Sequence, residues 1–530
     1  MKLPLLLALL PALAHASTST QTPLASASVP ASPWPTHSFR TTNATLPILN
    51  TTKLGPTAPG YIFIAPSTRD SGSPAIYTDE GDLVWHGPEG KTYAYQPQIL
   101  NGEPVLTFWE GHNVKGFGYG HIVILDSSYQ EIYRVTLPGT KEERFVTATN
   151  ESFPSYIDIH ESAITGEGTI LITAVNVTQT DLTPVGGKKD GWVQDGLVYE
   201  IDIATNEILF SWSAVEHREQ LSLDYVEFPL GAKGANKPAP YEYPHLNSVA
   251  KYGDRYLVSS RYMCSIFLLD KEGDMVWLFH GQKGGSFTLP NNSTSKFCYQ
   301  HDARIHAHTN PGKANESIIL SLHNNDNAES TEVPQLTTNL IFNLHPANKS
   351  ATLLSRTYDR QDPVSAVSQG NYQSISSNVT GHWLVGQGAI PKIEEFDQHG
   401  KLVMRGWFGG KMENSSTYDW SSYRAFRAPW TGRPKGGPDV VACRDADEKV
   451  VNVYVSCNGA TGVKGWRVLG RAAGGNEGMS VLRDMVKKAG FETKIPITLD
   501  SDQSVDAITV EAIGGVGNGT RSKAVHVGSC

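Results

Sequence analysis

At 530 residues, with 39% hydrophobic and 18% charged side chains, the chain has a globular composition, not that of a disordered protein. That length allows two to four domains, or one large closed β-architecture plus an accessory domain. A net charge of −9 leaves no basic stripe to displace counterions from a phosphate backbone, which argues against a nucleic-acid partner.

The chain begins with one lysine, Lys2, a short apolar stretch and the small-residue phrase Ala14-His-Ala16, the pattern of a secretory signal peptide over residues 1–16. The stretch is too short to span a bilayer and no later segment reads as a transmembrane helix, so the expected location is extracellular. Residues 17–55 are rich in Ser, Thr, Pro and Ala and read as a flexible leader. Eleven Asn-x-Ser/Thr sequons, at Asn43, Asn50, Asn150, Asn176, Asn291, Asn292, Asn315, Asn348, Asn378, Asn414 and Asn518, agree with a glycosylated secreted protein.

A recurring phrase follows: an apolar strand, an acidic or polar turn, and a second strand often ending in an aromatic. It runs from Ile76 to Trp85, Ile122 to Tyr133, Val198 to Trp212, Ile266 to Trp277, Leu340 to Leu354 and Ile393 to Val403. Period-two alternation and Asx/Gly turn chemistry make each an antiparallel hairpin, with Asp79, Asp126, Asp202, Asp270 and Asp397 as turn residues. Copies recur every 47 to 76 residues or so, about enough for four strands and their loops. Six such units predict an all-β chain whose residues 56–435 form a six-bladed β-propeller.

His160, His245 and His301 occupy the same phase of three of these copies. A turn glycine follows His160 and His245 at the same offset, at Gly168 and Gly253, and an apolar strand comes next; His301 opens a copy with a longer turn. Same-phase residues of successive repeats take equivalent positions, so a closed ring brings the three imidazoles to one place. Asn247 shares a strand face with His245, and Arg261 ends the next strand. Imidazoles supply a nucleophile or a proton shuttle, while Arg and Asn hold an oxyanion, which together suit an anionic group being transferred or hydrolysed. The plainer reading makes each histidine a hydrogen-bonded structural residue and pairs Arg261 with a carboxylate such as Asp254. Independent structural histidines, however, have no reason to share a phase. The run His301, His306 and His308 offers a His-x-His spacing, but no carboxylate follows at ligand distance, so no metal and no cofactor is expected.

After Pro434 the pattern changes. Strands near 450–456, 465–468, 491–495 and 507–512 suggest a fibronectin- or immunoglobulin-like β-sandwich over residues 436–530, with one short amphipathic helix from Met479 to Ala489. Five cysteines allow two bridges. Cys264 and Cys298 flank one blade and are expected to pair, while Cys443, Cys457 and Cys530 share the C-terminal region and leave one over.

Several phrases resemble the arylsulfotransferase (ASST) family, in its secreted fungal branch. They are Pro59 to Ala65, Glu103 to Gly111, Asp158-Ile-His-Glu161, His245-Leu-Asn-Ser-Val249, Ser259-Ser-Arg261, Gln300-His-Asp-Ala-Arg304 and Ser422-Tyr-Arg-Ala-Phe-Arg427. The sequence departs from the bacterial pattern at His323-Asn-Asn-Asp326, where Phe-Asp-Asn-Gly is usual, and at Pro244. The resemblance implies a six-bladed propeller and transfer of a sulfuryl group, without PAPS, from a phenolic sulfate ester to a phenol. In bacterial members a pore histidine becomes transiently sulfated; by motif that residue is His301, with His160, His245, Asn247 and Arg261 in support. Its partners are then a small aryl sulfate donor and a phenolic acceptor. The alternatives are a non-catalytic secreted propeller that binds glycans or proteins, and a metal-dependent hydrolase of lactones or esters.

Overall fold

The six hairpins read from the sequence are antiparallel strand pairs in the computed structural model, which describes residues 30–530 except 70, 91, 115, 142, 291–292, 310–315, 377–380, 446–448, 473–477, 500–503 and 516–518. They are Ala75–Tyr77 with Leu83–His86, Phe117–Leu125 with Glu131–Val135, Gly191–Asp202 with Ile208–Ser213, Ser265–Leu269 with Met275–His280, Thr338–His345 with Ser350–Thr357, and Lys392–Phe396 with Leu402–Trp407. Four turns close alike: Asp126, Asp202, Asp270 and Asp397 each accept two backbone N–H bonds through Oδ1. Gly273 (φ 93°) and Gly400 (φ 75°) supply the left-handed residue that two of these turns require. The aspartates are occupied as turn residues, as expected.

Four sheets stand as blades of a propeller-like arrangement. Tyr61–Ile64, Ala75–Tyr77 and Leu83–His86 are joined by Ala425–Ala428 from far along the chain. Leu246–Tyr252 leads a second sheet, His301–Thr309 a third and Asn371–Ser374 a fourth. The strands between Thr92 and Ser213 make one eight-stranded sheet, whose two halves meet through the single residue pair Gly120 and Ile157. Apolar side chains collect between successive sheets; Leu257, Ile266 and Phe279 meet Leu320 and Phe342, all at most 1% exposed. Each such side chain contributes on the order of 1.5–3 kcal/mol on burial.

Two expectations change. Residues 30–55 were expected to be part of a flexible leader, yet Leu46 and Leu49 are buried, Trp34 Nε1 donates to the Ile48 carbonyl, and Asn50–Lys53 pairs with Leu402–Trp407. Averaged composition hid these few apolar anchors. The segment Met479–Ala489 is a strand, Ser480–Lys487, not a helix. Leu482 and Val486 pack inward there, and a spacing of four residues satisfies a strand as well as a helix. The signal-peptide segment 1–16 and the leader up to residue 29 lie outside the described residues, as do Asn291, Asn292, Asn315, Asn378 and Asn518. Asn43, Asn50, Asn150, Asn348 and Asn414 are exposed, and Asn176 is half-buried.

The C-terminal region is seven-stranded. Val525–Ser529 pairs in parallel with Asp439–Arg444 and antiparallel with Val505–Ile513, which links two ladders around Val453, Trp466, Ile495 and Val510. Cys264 pairs with Cys298 as expected, and Cys443 with Cys530; Cys457 is the remaining one, free and buried. Among the described residues no helix is long and apolar enough to cross a membrane.

Candidate functional site

His160, His245 and His301 lie on three innermost strands or just before them, and each is at most 6% exposed. Together with Arg261 they line one cavity of about 1340 Å³. A smaller hollow of about 510 Å³ around Asp181 and Val215–Gln220 holds none of them. The rings of His160 and His245 are 5.0 Å apart, and Tyr423 lies 5.8 Å from His160 and 6.4 Å from His301.

The groups behind the three rings differ. Asp158, two residues before His160 and on the same strand face, contacts His160 Nδ1 and also accepts from the Gly118 N–H at 2.7 Å. A carboxylate accepts only, so the proton sits on Nδ1 and Nε2 is turned to other partners. His245 follows a cis Tyr243–Pro244 bond with φ 59° and is packed between Phe117 (4.5 Å) and Tyr262 (4.6 Å). Its Nδ1 stands 3.5 Å from Glu242 Oε2, too far for a well-formed hydrogen bond. Burial, aided by the Arg261 charge, lowers the His245 pKa to about 4. Burial works against the charge on Glu242, but His245 and Lys233 outweigh it and hold that carboxyl down to about 2.

His301 has no carboxylate behind it. Its Nδ1 lies 2.6 Å from Asn325 Oδ1, and the Gln369 N–H donates to its Nε2 at 3.1 Å. Burial and the Arg261 charge keep its pKa well below the usual imidazole range, so the ring is neutral. The loop that brings Gln369 there passes His323 so closely that a Cβ on Gly370 (φ +102°) would stand 2.4 Å from its Nε2.

Arg261 is buried with its guanidinium 4.8 Å from the Tyr262 ring centre. It donates to Tyr262 Oη (2.9 Å), to the Val367 carbonyl (2.8 Å) and, at 3.3 Å, to both oxygens of the exposed Glu329. Its carboxylate is therefore Glu329 and not Asp254. Among the described residues, the Nε of Arg261 finds no hydrogen-bond partner, nor does the buried hydroxyl of Tyr423. Asn247 does not reach the cavity; its Nδ2 donates at 2.6 Å to the carbonyl of Gln300, directly before His301. His306 is engaged by Ser321 Oγ (2.6 Å) and the Trp383 ring (4.9 Å). Among the described residues no cluster of three or more His, Cys, Asp or Glu is placed to hold a metal ion.

Beneath the histidines lies a charge hub that sequence reasoning did not assign. Glu161 is fully buried and accepts from Arg304 Nη2 (2.7 Å) and Arg424 Nη1 (2.9 Å), while Arg424 Nη2 also donates to the carbonyls of His160 and Asn247 at 3.1 Å. Burial pushes the Glu161 pKa up, but the two guanidinium groups reverse this and hold it near 2. Glu161, Arg304 and Arg424 all stood in the motif phrases, without a role. Tyr423 and Gln369 come from distant sequence, and only ring closure brings them in.

A family model described as arylsulfotransferase (ASST) matches residues 96–409, more than half of the chain. No curated protein matches. Among solved structures, a functionally unknown protein from Desulfotomaculum acetoxidans is 8% identical, with 70% of this chain and 99% of that one covered and a TM-score of 0.32. An α-L-arabinanase from Penicillium chrysogenum is 10% identical, with 76% and 94% covered and a TM-score of 0.31.

Proposed function

Because the chain belongs to the arylsulfotransferase (ASST) family, we propose that it is a secreted enzyme that moves a sulfuryl group from a phenolic sulfate ester to a phenol through a sulfohistidine on His301. The observation that carries this reading is the convergence of three imidazoles and a buried Arg261 on one cavity. We read the eight-stranded sheet as two blades, since one residue pair joins its halves. With the four separate sheets this makes a six-bladed propeller over residues 56–435, followed by a sandwich over 436–530. Two disulfides and the signal-like start support export to an oxidising compartment.

In the first half-reaction His301 attacks sulfur and the bond from sulfur to the aryl oxygen breaks. His160, held by Asp158 through Nδ1 and carrying a second proton on Nε2, gives that Nε2 proton to the departing phenolate. In the second half the same His160, now neutral and 5.0 Å from the His245 ring, takes the proton of the incoming phenol, whose oxygen attacks the sulfur and releases His301, so the ring regains the proton it gave. The free Nε of Arg261 holds a sulfuryl oxygen in a loose transition state like that of phosphoryl transfer. Asn247 acts through the Gln300 carbonyl by fixing the peptide before His301. This ping-pong path uses no soluble cofactor.

The binding-platform reading draws on one observation: His301 Nε2 and Arg261 already hold protein partners, Gln369 and Glu329. Catalysis requires both contacts to yield to substrate. Incubation with p-nitrophenyl sulfate, with and without phenol, separates the readings. Phenol-stimulated release of p-nitrophenol and sulfate on the His301 peptide are expected. Release that survives His301→Ala unchanged overturns the scheme.

A further inference from the structure

The structure holds three histidines in one cavity: His160 is backed by the Asp158 carboxylate, His245 stands 3.5 Å from that of Glu242 without a formed hydrogen bond, and His301 is backed by an amide. We propose that Asn325 is a positioning residue that fixes His301 as a neutral ring with its proton on Nδ1, which makes Nε2 the nucleophile and keeps the sulfated ring reactive. This rests on the sulfohistidine reading above.

Asn325 is fully buried, and its peptide carbonyl accepts from Asn327 Nδ2 at 2.6 Å and Thr337 Oγ1 at 3.3 Å. Its side-chain Nδ2 donates at 3.0 Å to the carbonyl of Gln369. A carbonyl only accepts, so the amide cannot be turned the other way, and Oδ1 must face His301. An amide oxygen also only accepts, so His301 Nδ1 must be the protonated nitrogen. The opposite side of the ring agrees independently: the Gln369 N–H donates to Nε2, which must therefore carry the lone pair. The Tyr299 carbonyl, 3.2 Å from Nδ1, also only accepts and agrees with this tautomer. Asn325 makes the shorter contact and, by donating from its Nδ2 to the Gln369 carbonyl, also holds the residue that donates to Nε2.

An amide serves where a carboxylate would not. When Nε2 attacks, the Nδ1 proton stays, and the product is an N-sulfoimidazolium whose positive ring makes nitrogen a good leaving group for the second transfer. A carboxylate at Asn325 would neutralise that ring charge, slow the release of the sulfuryl group and favour a protonated, non-nucleophilic resting ring. Arg261, His160 and His323 act on the His301 ring, and Tyr423 lies 6.4 Å away. Asp302, next in the chain, is ion-paired with Arg304 at 2.9 Å and Glu329 with Arg261 at 3.3 Å, so neither carboxylate takes the place of Asn325 at Nδ1.

The test has two arms. In protein labelled with ¹⁵N-histidine, with the signal assigned by its loss in His301→Ala, the His301 ring is expected to be neutral with its proton on Nδ1 at pH 6. A proton on Nε2 overturns the proposal whatever the protein's activity. In the second arm, Asn325→Asp is expected to move the acid limb of the turnover profile up by about 1–3 pH units and to lengthen the life of sulfated His301. Asn325→Ala is expected to lower kcat roughly 10- to 100-fold, the range for losing a group that orients a histidine, with KM little changed. A limb and lifetime in Asn325→Asp equal to those of the unaltered protein refute the role. If the unaltered protein forms no sulfohistidine, the transfer reading fails, and the tautomer measurement still stands for or against Asn325.

Discussion

The charge hub beneath the three histidines and the interior of the C-terminal sheets are both largely buried, yet they are built from opposite materials. The first buries Glu161, Asp302 and Arg424, with the half-buried Arg304, beneath three histidines; the second is filled chiefly by valines, isoleucines and Trp466, and ion pairs such as Arg471 with Asp506 lie at its surface. Burying charge costs several kcal/mol per ion even after relaxation, and an apolar core of similar volume is often as stable. A chain able to build the second kind of interior has therefore placed the first kind where it needs fixed charges and fixed protons.

The sharpest way to break this contrast is at His301, the proposed nucleophile. His301→Ala is expected to reduce aryl sulfate turnover about 10³-fold or more and to leave the C-terminal melting transition in place, followed by p-nitrophenol release and calorimetry. Glu161→Gln leaves the buried Arg424 and the half-buried Arg304 facing a neutral group. It is expected to cost about 3–5 kcal/mol, seen as a lower denaturant midpoint and lost amide protection around 157–164 but not around 505–513. Removing the other region's staple with Cys443→Ser and Cys530→Ser opens a link across 87 residues. About 2–4 kcal/mol should disappear from the C-terminal sheets, with turnover per folded molecule unchanged. Met485→Gln, on an exposed edge strand, should stay within about 0.5 kcal/mol.

Acid offers a finer probe. His245, His306 and His323 stay neutral to about pH 4 when folded but accept protons near 6.5 when unfolded. Between those values the unfolded chain binds more protons, so stability falls as pH falls. Glu161 adds a second loss from its unfolded 4.5 down to about 2. Hydrogen exchange from pH 7 to 4 should loosen the propeller-like region before the C-terminal sheets; the reverse order would show that the burial contrast does not govern stability.

Local chemistry was readable in the sequence wherever it repeats. Asx turns at Asp126, Asp202, Asp270 and Asp397 and the matched phase of the histidines follow from short-range rules, and these located both the hairpins and the residues that line the cavity. What failed was information that is ambiguous locally or supplied from afar. Leu482 and Val486 fit two periodicities, and only pairing with Gly465–Ala472 makes their segment a strand. Asn247 shares a face with His245, but a carbonyl of the neighbouring sheet claims its amide. Nothing near His160 in sequence announces Tyr423.

The sheet that starts with Tyr61–Ile64 takes its remaining edge from Ala425–Ala428, and the strand Asn50–Lys53 fastens onto Leu402–Trp407. A nascent chain released before residue 428 would thus own all three cavity histidines and still lack a finished vessel to hold them. Assembly of the site is a late, all-or-nothing event in the life of the polypeptide, and any quality-control system that senses unpaired strands has most of the synthesis time in which to act.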